Sequence, residues 1–270
     1  MHNKAIYLYK GLSEKGILMH HLYYDGSFDG LLSTVFHIYA KKYPPQAIHI
    51  SCNSNHADLF AQNETVPTSP EHARRVFTRL ERQIGRRGML KLLYGFLSAA
   101  PEMPDTFFRI VRLTLAQPHH ANILSDYGHF DVMQWAQWVK SVGCEKHRME
   151  AFVRFEEWEN NLYLARIEPQ FDVLPLIVRH FRNRYPDQKW AIFDTQRHYG
   201  IYHDSDSLYP ISNLEEKPQH TGRATHEKDY QKLWQRYFQS TTILSRRNPR
   251  LHHQQMPQRY WKYLTEKQAV

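Results

Sequence analysis

The feature that most constrains the fold is an alternation of strand-like and helix-like runs in the middle of the chain. Four runs are rich in aromatic and β-branched residues, and polar turns join them in pairs: residues 152–158, 162–169, 190–194 and 197–204. Such pairs predict two β-hairpins. Between the hairpins, apolar residues recur at helical spacing from Asp172 to Arg184, and we expect Asp172 to cap that helix. The pattern predicts an α+β fold with a small antiparallel sheet, built from hairpins and flanked by helices.

The sequence on either side of this unit predicts further helices. Strands are expected at 20–24 and 46–50, with a helix between them. A large helical insertion follows over about residues 65–143. We therefore expect one α+β core over residues 1–207, with a C-terminal part, 208–270, packed on it.

The sequence of the C-terminal part predicts a polar loop, one amphipathic helix and an extended tail. The loop covers 205–226, the helix covers 227–244 and the extended tail covers 245–258. Apolar residues are expected to face the core from the helix: Tyr230, Leu233, Trp234, Tyr237 and Phe238. Asn248-Pro249 is expected to mark the end of this helix.

Composition excludes several classes of protein. No apolar run approaches the roughly 20 residues that a membrane span needs, and Met1–Lys15 is too mixed for a signal segment. The only cysteines are Cys52 and Cys144, so we expect a reducing, cytoplasmic location rather than a disulfide-stapled secreted domain. Two isolated cysteines also fall short of the four that an iron–sulfur cluster normally requires. We predict neither a cofactor nor a metal in this chain, because no motif with metal-ligand spacing occurs.

The formal net charge of +8 is concentrated near the C-terminus. Between Tyr230 and Thr265 there are seven lysines or arginines and no acidic residue. Arginine interleaved with tryptophan and tyrosine, as in the run 259–264, suits phosphate neutralisation combined with base stacking. The alternatives are a solvated basic tail, or a tail whose aromatic residues dock it on the core.

A second basic feature lies in the helix predicted after Ser69-Pro70. Its polar face carries six arginines against only Glu71 and Glu81: Arg74, Arg75, Arg79, Arg82, Arg86 and Arg87. This stripe is either a solvated helix face or an extension of a nucleic-acid track.

Candidate chemistry lies in charged residues on or beside the predicted strands, where burial is costly unless the charge is paired. The catalytic candidates are His147, His180 and Asp194, and an anionic ligand would meet Arg148, Arg154, Arg184 and Arg197. The alternative is a structural ion-pair network, with partners among Glu145, Glu156, Glu168 and Asp194.

A base-binding pocket is another possibility, since such a site needs an acidic group and aromatic walls. Asp25 or Asp194, with His147 or His180, would supply the acid and its partner. The aromatic candidates are Tyr24, Trp190, Tyr199 and Tyr202. For Asp25, Ser27 and Asp29 the alternative is turn and helix-capping geometry.

Several runs together resemble one bacterial family, from about Tyr23 to Glu266. They are Tyr24–Leu32, Glu145–Arg148, Phe152–Phe155, His180–Arg184, Trp190–Asp194 with Arg197 and Gly200, and Pro257–Glu266. The family comprises DNA-metabolism or DNA-repair proteins that pair with a radical-SAM protein predicted to act on DNA. Its domain also occurs joined to uracil-DNA-glycosylase-like domains.

The resemblance implies DNA as a partner, together with a radical-SAM DNA-repair protein that would carry any cluster chemistry. With the charge pattern, it leads to a predicted set of DNA-contacting residues: Arg148, Arg154, Arg184, Arg197, Arg246, Arg247, Arg250, Arg259, Tyr260, Trp261 and Lys262. Two alternatives stay open: an enzyme acting on damaged bases or nucleotides through a His/Arg/Asp pocket, and a non-catalytic adaptor.

Overall fold

The computed structural model describes residues 18–52, 61–117, 122–212, 224–241, 243, 245 and 248–267, without the side chain at 160. The chain divides into two compact units, Met1–Val139 and Lys140–Val270. This division lies within a helix and does not coincide with the predicted one at 207/208. The predicted α+β class is confirmed by one three-stranded and one five-stranded sheet in the described part of the chain. No helix described here is both long and apolar enough to span a bilayer.

The first unit begins with a small parallel sheet. Its strands are β1 (Met19–Tyr23), β2 (Ile48–Ser51) and β3 (Ala61–Thr65), in the order β2-β1-β3. Helix α1 (Phe28–Lys41) joins β1 to β2, and both neighbours pair with β1 in parallel. The strands predicted at 20–24 and 46–50 with a helix between them are thus present, and they pair in parallel because the crossover helix brings the chain back in the same direction.

Three helices complete the core of this unit: α2 (Pro70–Phe96), α3 (Met103–Ala116) and the start of α4 (Phe130–Phe152). Ser69 caps α2 by accepting a hydrogen bond from the His72 amide, as its Ser-Pro start predicts. Helix α2 is kinked at Gly85, whose φ of 67° is costly for any residue with a side chain. Buried apolar residues of α1, α2 and α3 pack around Trp135 of α4.

The second unit contains a mixed sheet in the order β4-β5-β6-β7-β8. The strands are β4 (Glu156–Trp158), β5 (Leu162–Ile167), β6 (Lys189–Asp194), β7 (Tyr199–His203) and β8 (Leu208–Ile211). Both predicted hairpins are confirmed, as β4–β5 and β6–β7. However, α5 (Leu174–Arg184) makes β5 and β6 parallel, and β8 lies in sequence that we predicted as loop.

Helix α4 is longer than predicted and takes up the start of the first strand-like run. Val142, Glu145 and Met149 are buried at helical spacing along it. His147 and Arg148 are therefore helical residues, not neighbours of a strand. The predicted cap at Asp172 is also wrong, since the residue before α5 is Val173 and Asp172 instead accepts a hydrogen bond from the Tyr199 hydroxyl.

The chain ends in α6 (Glu227–Thr241), α7 (Pro249–Gln255) and two 3-10 helices, Gln258–Tyr263 and Thr265–Lys267. We call Pro249–Lys267 the C-terminal segment. The prediction of extended chain over 245–258 is wrong, because Asn248 accepts a hydrogen bond from the Leu251 amide and caps α7. Four residues of α6 that we expected to face the core are exposed: Tyr230, Leu233, Trp234 and Tyr237.

Candidate functional site

Two basic residues of the C-terminal segment, Arg259 and Lys262, are bound by carboxylates of their own unit. Arg259 donates to Glu145 at 2.7 Å, the Tyr260 hydroxyl donates to the same oxygen, and the Gln170 amide donates to the other at 2.8 Å. The Glu145 side chain is only 1% exposed. Burial alone would lower the pKa of Arg259, but the charge of Glu145 raises it. Arg259 is therefore paired with the buried carboxylate of Glu145.

Two further carboxylates hold this segment. The Glu266 side chain, also 1% exposed, accepts from Arg154 at 2.9 Å and from the Trp234 indole at 2.9 Å. Glu168 accepts from Lys262 and from the Tyr263 hydroxyl. Three predicted DNA contacts, Arg154, Arg259 and Lys262, thus have carboxylate partners within the second unit.

Buried Asp194 and half-buried Arg197 form an ion pair in the β6–β7 turn. Arg197 donates to Asp194 at 2.9 Å, and it also donates to the carbonyl oxygens of Pro169 at 3.1 Å and Gln170 at 3.0 Å. Asp194 also accepts from the backbone amides of residues 196 and 197. These bonds tie the β6–β7 turn to the loop after β5, as the structural-network alternative expects.

The histidine candidates do not join this pair. His147 is exposed on α4, and His180 is half-buried on α5 with its ring edge-on to Phe181. Across the described residues, no hydrogen bond or ion pair links either histidine to Asp194. Catalysis by this trio stays a prediction without a supporting contact.

The other predicted DNA contacts are scattered over the second unit. Arg148 donates to the Gln254 carbonyl at 3.1 Å, and Arg184 lies beside Tyr185. The Trp261 ring stacks on His253 and its indole donates to Met256. Arg250 is exposed on α7. Arg246 and Arg247 lie outside the described residues. The DNA role of all of these stays a prediction.

The arginine stripe of α2 is different, because its side chains face solvent. All six are exposed: Arg74, Arg75, Arg79, Arg82, Arg86 and Arg87. Arg86 is 94% exposed and approaches Glu81 only at 3.8 Å, and Arg79 donates to the neutral Gln83 at 3.4 Å. The opposite face of α2 is buried through Ala73, Leu80 and Ile84. The helix is thus fixed by its apolar face and presents its cationic face outward.

A crevice opens in the same unit at the carboxyl ends of the three parallel strands. Its volume is about 300 Å³. Residues that end or follow each strand line it: Tyr23, Tyr24 and Asp25 from β1, Cys52 from β2, and Thr65, Val66, Pro67 and Thr68 from β3. In open sheets with parallel strands, ligands bind at this edge, at the point where the connections from two neighbouring strands run in opposite directions. Here β1 is the central strand, and its two neighbours lie on either side.

Among the described residues that line this crevice, Asp25 is the charged one. It accepts hydrogen bonds from the Ser27 amide at 2.9 Å, the Ser27 hydroxyl at 2.6 Å and the Thr68 hydroxyl at 2.7 Å. Partial burial opposes ionisation, but these bonds outweigh it and lower the pKa of Asp25 below its ordinary value. The group is therefore a carboxylate at neutral pH. Burial, Cys52 and Asp25 together raise the pKa of Tyr24, which keeps its hydroxyl protonated.

The sequence identified Asp25 and Tyr24 as candidates but missed Cys52, Thr65 and Thr68. Residues at the carboxyl ends of parallel strands are candidates for such a site. Thr65 and Thr68 could not be recognised in this way because β3, Ala-Gln-Asn-Glu-Thr, has no apolar alternation that predicts a strand.

Comparison with known families matches residues 101–266 to a domain of unknown function, DUF4130. The match covers well over half of the chain, so this protein belongs to that family. No curated protein matches the chain. The matched range contains the carboxylate contacts of the C-terminal segment, whereas the α2 stripe and the crevice precede it.

Proposed function

We propose that this member of the DUF4130 family binds nucleic acid along the arginine face of α2 and serves in DNA metabolism. The observation that carries the proposal is that six arginines of α2 are exposed, while the opposite face of the helix is buried. The helix contains only two acidic residues. Exposed guanidinium groups can replace the counterions of a phosphate backbone, and the released ions favour binding.

The spacing of the stripe supports a strand that lies along the helix. Arg75, Arg79 and Arg82 follow each other by four and three residues, which puts them on one helix face. Adjacent members are separated by about 4.5–6 Å along the axis. A run of this kind contacts successive phosphates without reading sequence.

The experiment is a titration of a fluorescent single-stranded oligonucleotide with the full-length protein at several salt concentrations. If three arginines contact phosphates, the slope of log affinity against log salt is about −2, from about −0.7 per contact on single strands. No binding at low salt, or affinity independent of salt, would remove the proposal.

The wider role rests on the family resemblance of the sequence. We propose that the protein acts in the cytoplasm beside a radical-SAM DNA-repair protein, which would supply the cluster chemistry. Co-purification of the two proteins, and a change in the partner's activity on DNA when this chain is added, test that role. Absence of both would leave the DNA-binding proposal standing alone.

A further inference from the structure

The crevice of the first unit has a lining that suits a neutral hydrogen-bond donor rather than a phosphate. Among the described residues, its lining contains the Asp25 carboxylate and no lysine or arginine. The positive end of α1, which would otherwise attract an anion, is already occupied by Asp25 through the Ser27 amide. A phosphate would therefore meet like charge without compensation.

The remaining walls suit a flat ring of limited size. Tyr24, Val66 and Pro67 supply apolar contact, while Thr65 and Thr68 supply hydroxyl groups. The volume of about 300 Å³ is at the lower end of the range of small-ligand sites. Gly30 lies directly beneath Asp25, since a Cβ there would fall 2.1 Å from the carboxylate oxygen. The carboxylate thus sits close against the helix backbone, in a place that a side chain at residue 30 would block.

The crevice also lies at the start of the arginine helix. Thr68 lines it, Ser69 caps α2, and Ser69 is fixed to α1 by two hydrogen bonds with the Ser33 hydroxyl, both at 3.1 Å. Arg75 lies five residues beyond the start of α2, about 8 Å along its axis. The N-terminal end of the stripe therefore lies near the crevice.

We propose that the crevice receives one unstacked base of the bound strand, with Asp25 accepting a hydrogen bond from its exocyclic amine. This inference rests on the proposed function and deepens it. A carboxylate accepts from the N4 amine of cytosine, whereas thymine presents its O4 oxygen at that position and can reach the carboxylate only through its single N3–H. The site therefore prefers cytosine to thymine.

The test compares the affinities of (dC)8 and (dT)8 at neutral pH, because both carry the same phosphates and the arginine contribution cancels. The wild-type protein is expected to bind (dC)8 at least about fivefold more tightly. Asp25→Asn should reduce the ratio to near one, whereas Asp29→Asn should retain it, since Asp29 is exposed one turn away and does not line the crevice.

A second variant guards against a local folding defect of Asp25→Asn. Thr65→Tyr fills the crevice from the edge strand β3, and it should bring the ratio of (dC)8 to (dT)8 affinity close to one. Equal binding of both oligonucleotides by the wild-type protein, or an unchanged ratio in Asp25→Asn and Thr65→Tyr, would overturn the base site alone. Failure to bind either oligonucleotide would overturn the proposed function as well.

Discussion

The α2 stripe and the C-terminal segment have similar patterns of charge in the sequence but differ in what their basic side chains contact. Both combine arginines with few acidic neighbours in sequence. The fold brings Glu145 to Arg259 across 114 residues and Glu168 to Lys262 across 94, whereas the α2 arginines meet solvent. A local charge count therefore does not measure surface potential, because carboxylates distant in sequence can neutralise a basic run.

The largest expected effect is the loss of the buried carboxylate of Glu145. Glu145→Ala leaves Arg259, Tyr260 and the Gln170 amide without their shared acceptor. Arg259 is 39% exposed and can be solvated, so most of the cost comes from the Tyr260 hydroxyl and the Gln170 amide, which lose their acceptor at about 1–3 kcal/mol of unfolding free energy each. Urea denaturation measures the cost.

The matched control is Glu150→Ala on the same helix. Glu150 pairs with Lys146 one turn away, so its loss should cost less than about 1 kcal/mol. Equal losses in the two variants would mean that Glu145 does not anchor the C-terminal segment.

The next effect depends on pH, through Glu266. Its burial would raise its pKa, but the bonds from Arg154 and Trp234 lower it below the ordinary value of 4.5. A depressed pKa gives stability that is present above pH 4.5 and is lost as pH falls through the folded value. Arg154→Met should therefore cost about 2 kcal/mol at pH 7 and progressively less in acid. A cost that stays constant from pH 7 to pH 3 would contradict this account of the pair.

The smallest effect is expected at the most exposed of these pairs. Lys262 is 55% exposed and Glu168 is 39% exposed, so solvent screens their attraction. Lys262→Met should lower unfolding free energy by less than about 1 kcal/mol. A melting curve is sufficient to check it, and a loss as large as that of Glu145→Ala would show that exposure does not rank these pairs.

Periodicity in the sequence identified most helices and both hairpins. In α5, for example, the residues that recur at helical spacing are buried: Leu174, Ile177, Val178 and Phe181. Strand direction was not predictable in the same way. The β5–β6 pair is parallel because α5 carries the chain back to the end of the sheet where β5 starts, and apolar spacing does not show which strands become neighbours. The polar strand β3 is held by its pairing with β1 and by Tyr43 donating to Glu64.

The candidate residues show the same limit. The sequence named Glu145 and Glu168 as partners in a structural alternative, but it could not assign them to Arg259 and Lys262. Glu145 also concealed the end of α4, because a charged residue on a buried helix face interrupts the apolar repeat. Contacts across about 100 residues arise from tertiary packing and leave no local pattern.

The most direct test of the central claim compares two charge-matched triple variants in the salt titration of DNA affinity. One replaces Arg75, Arg79 and Arg82 of α2 with alanine, and the other replaces the exposed Lys228, Lys232 and Arg236 of α6. We predict that the α2 variant reduces the magnitude of the salt slope by about 2, while the α6 variant leaves it close to the wild-type value. An unchanged slope in the α2 variant, with loss in the α6 variant, would contradict the account.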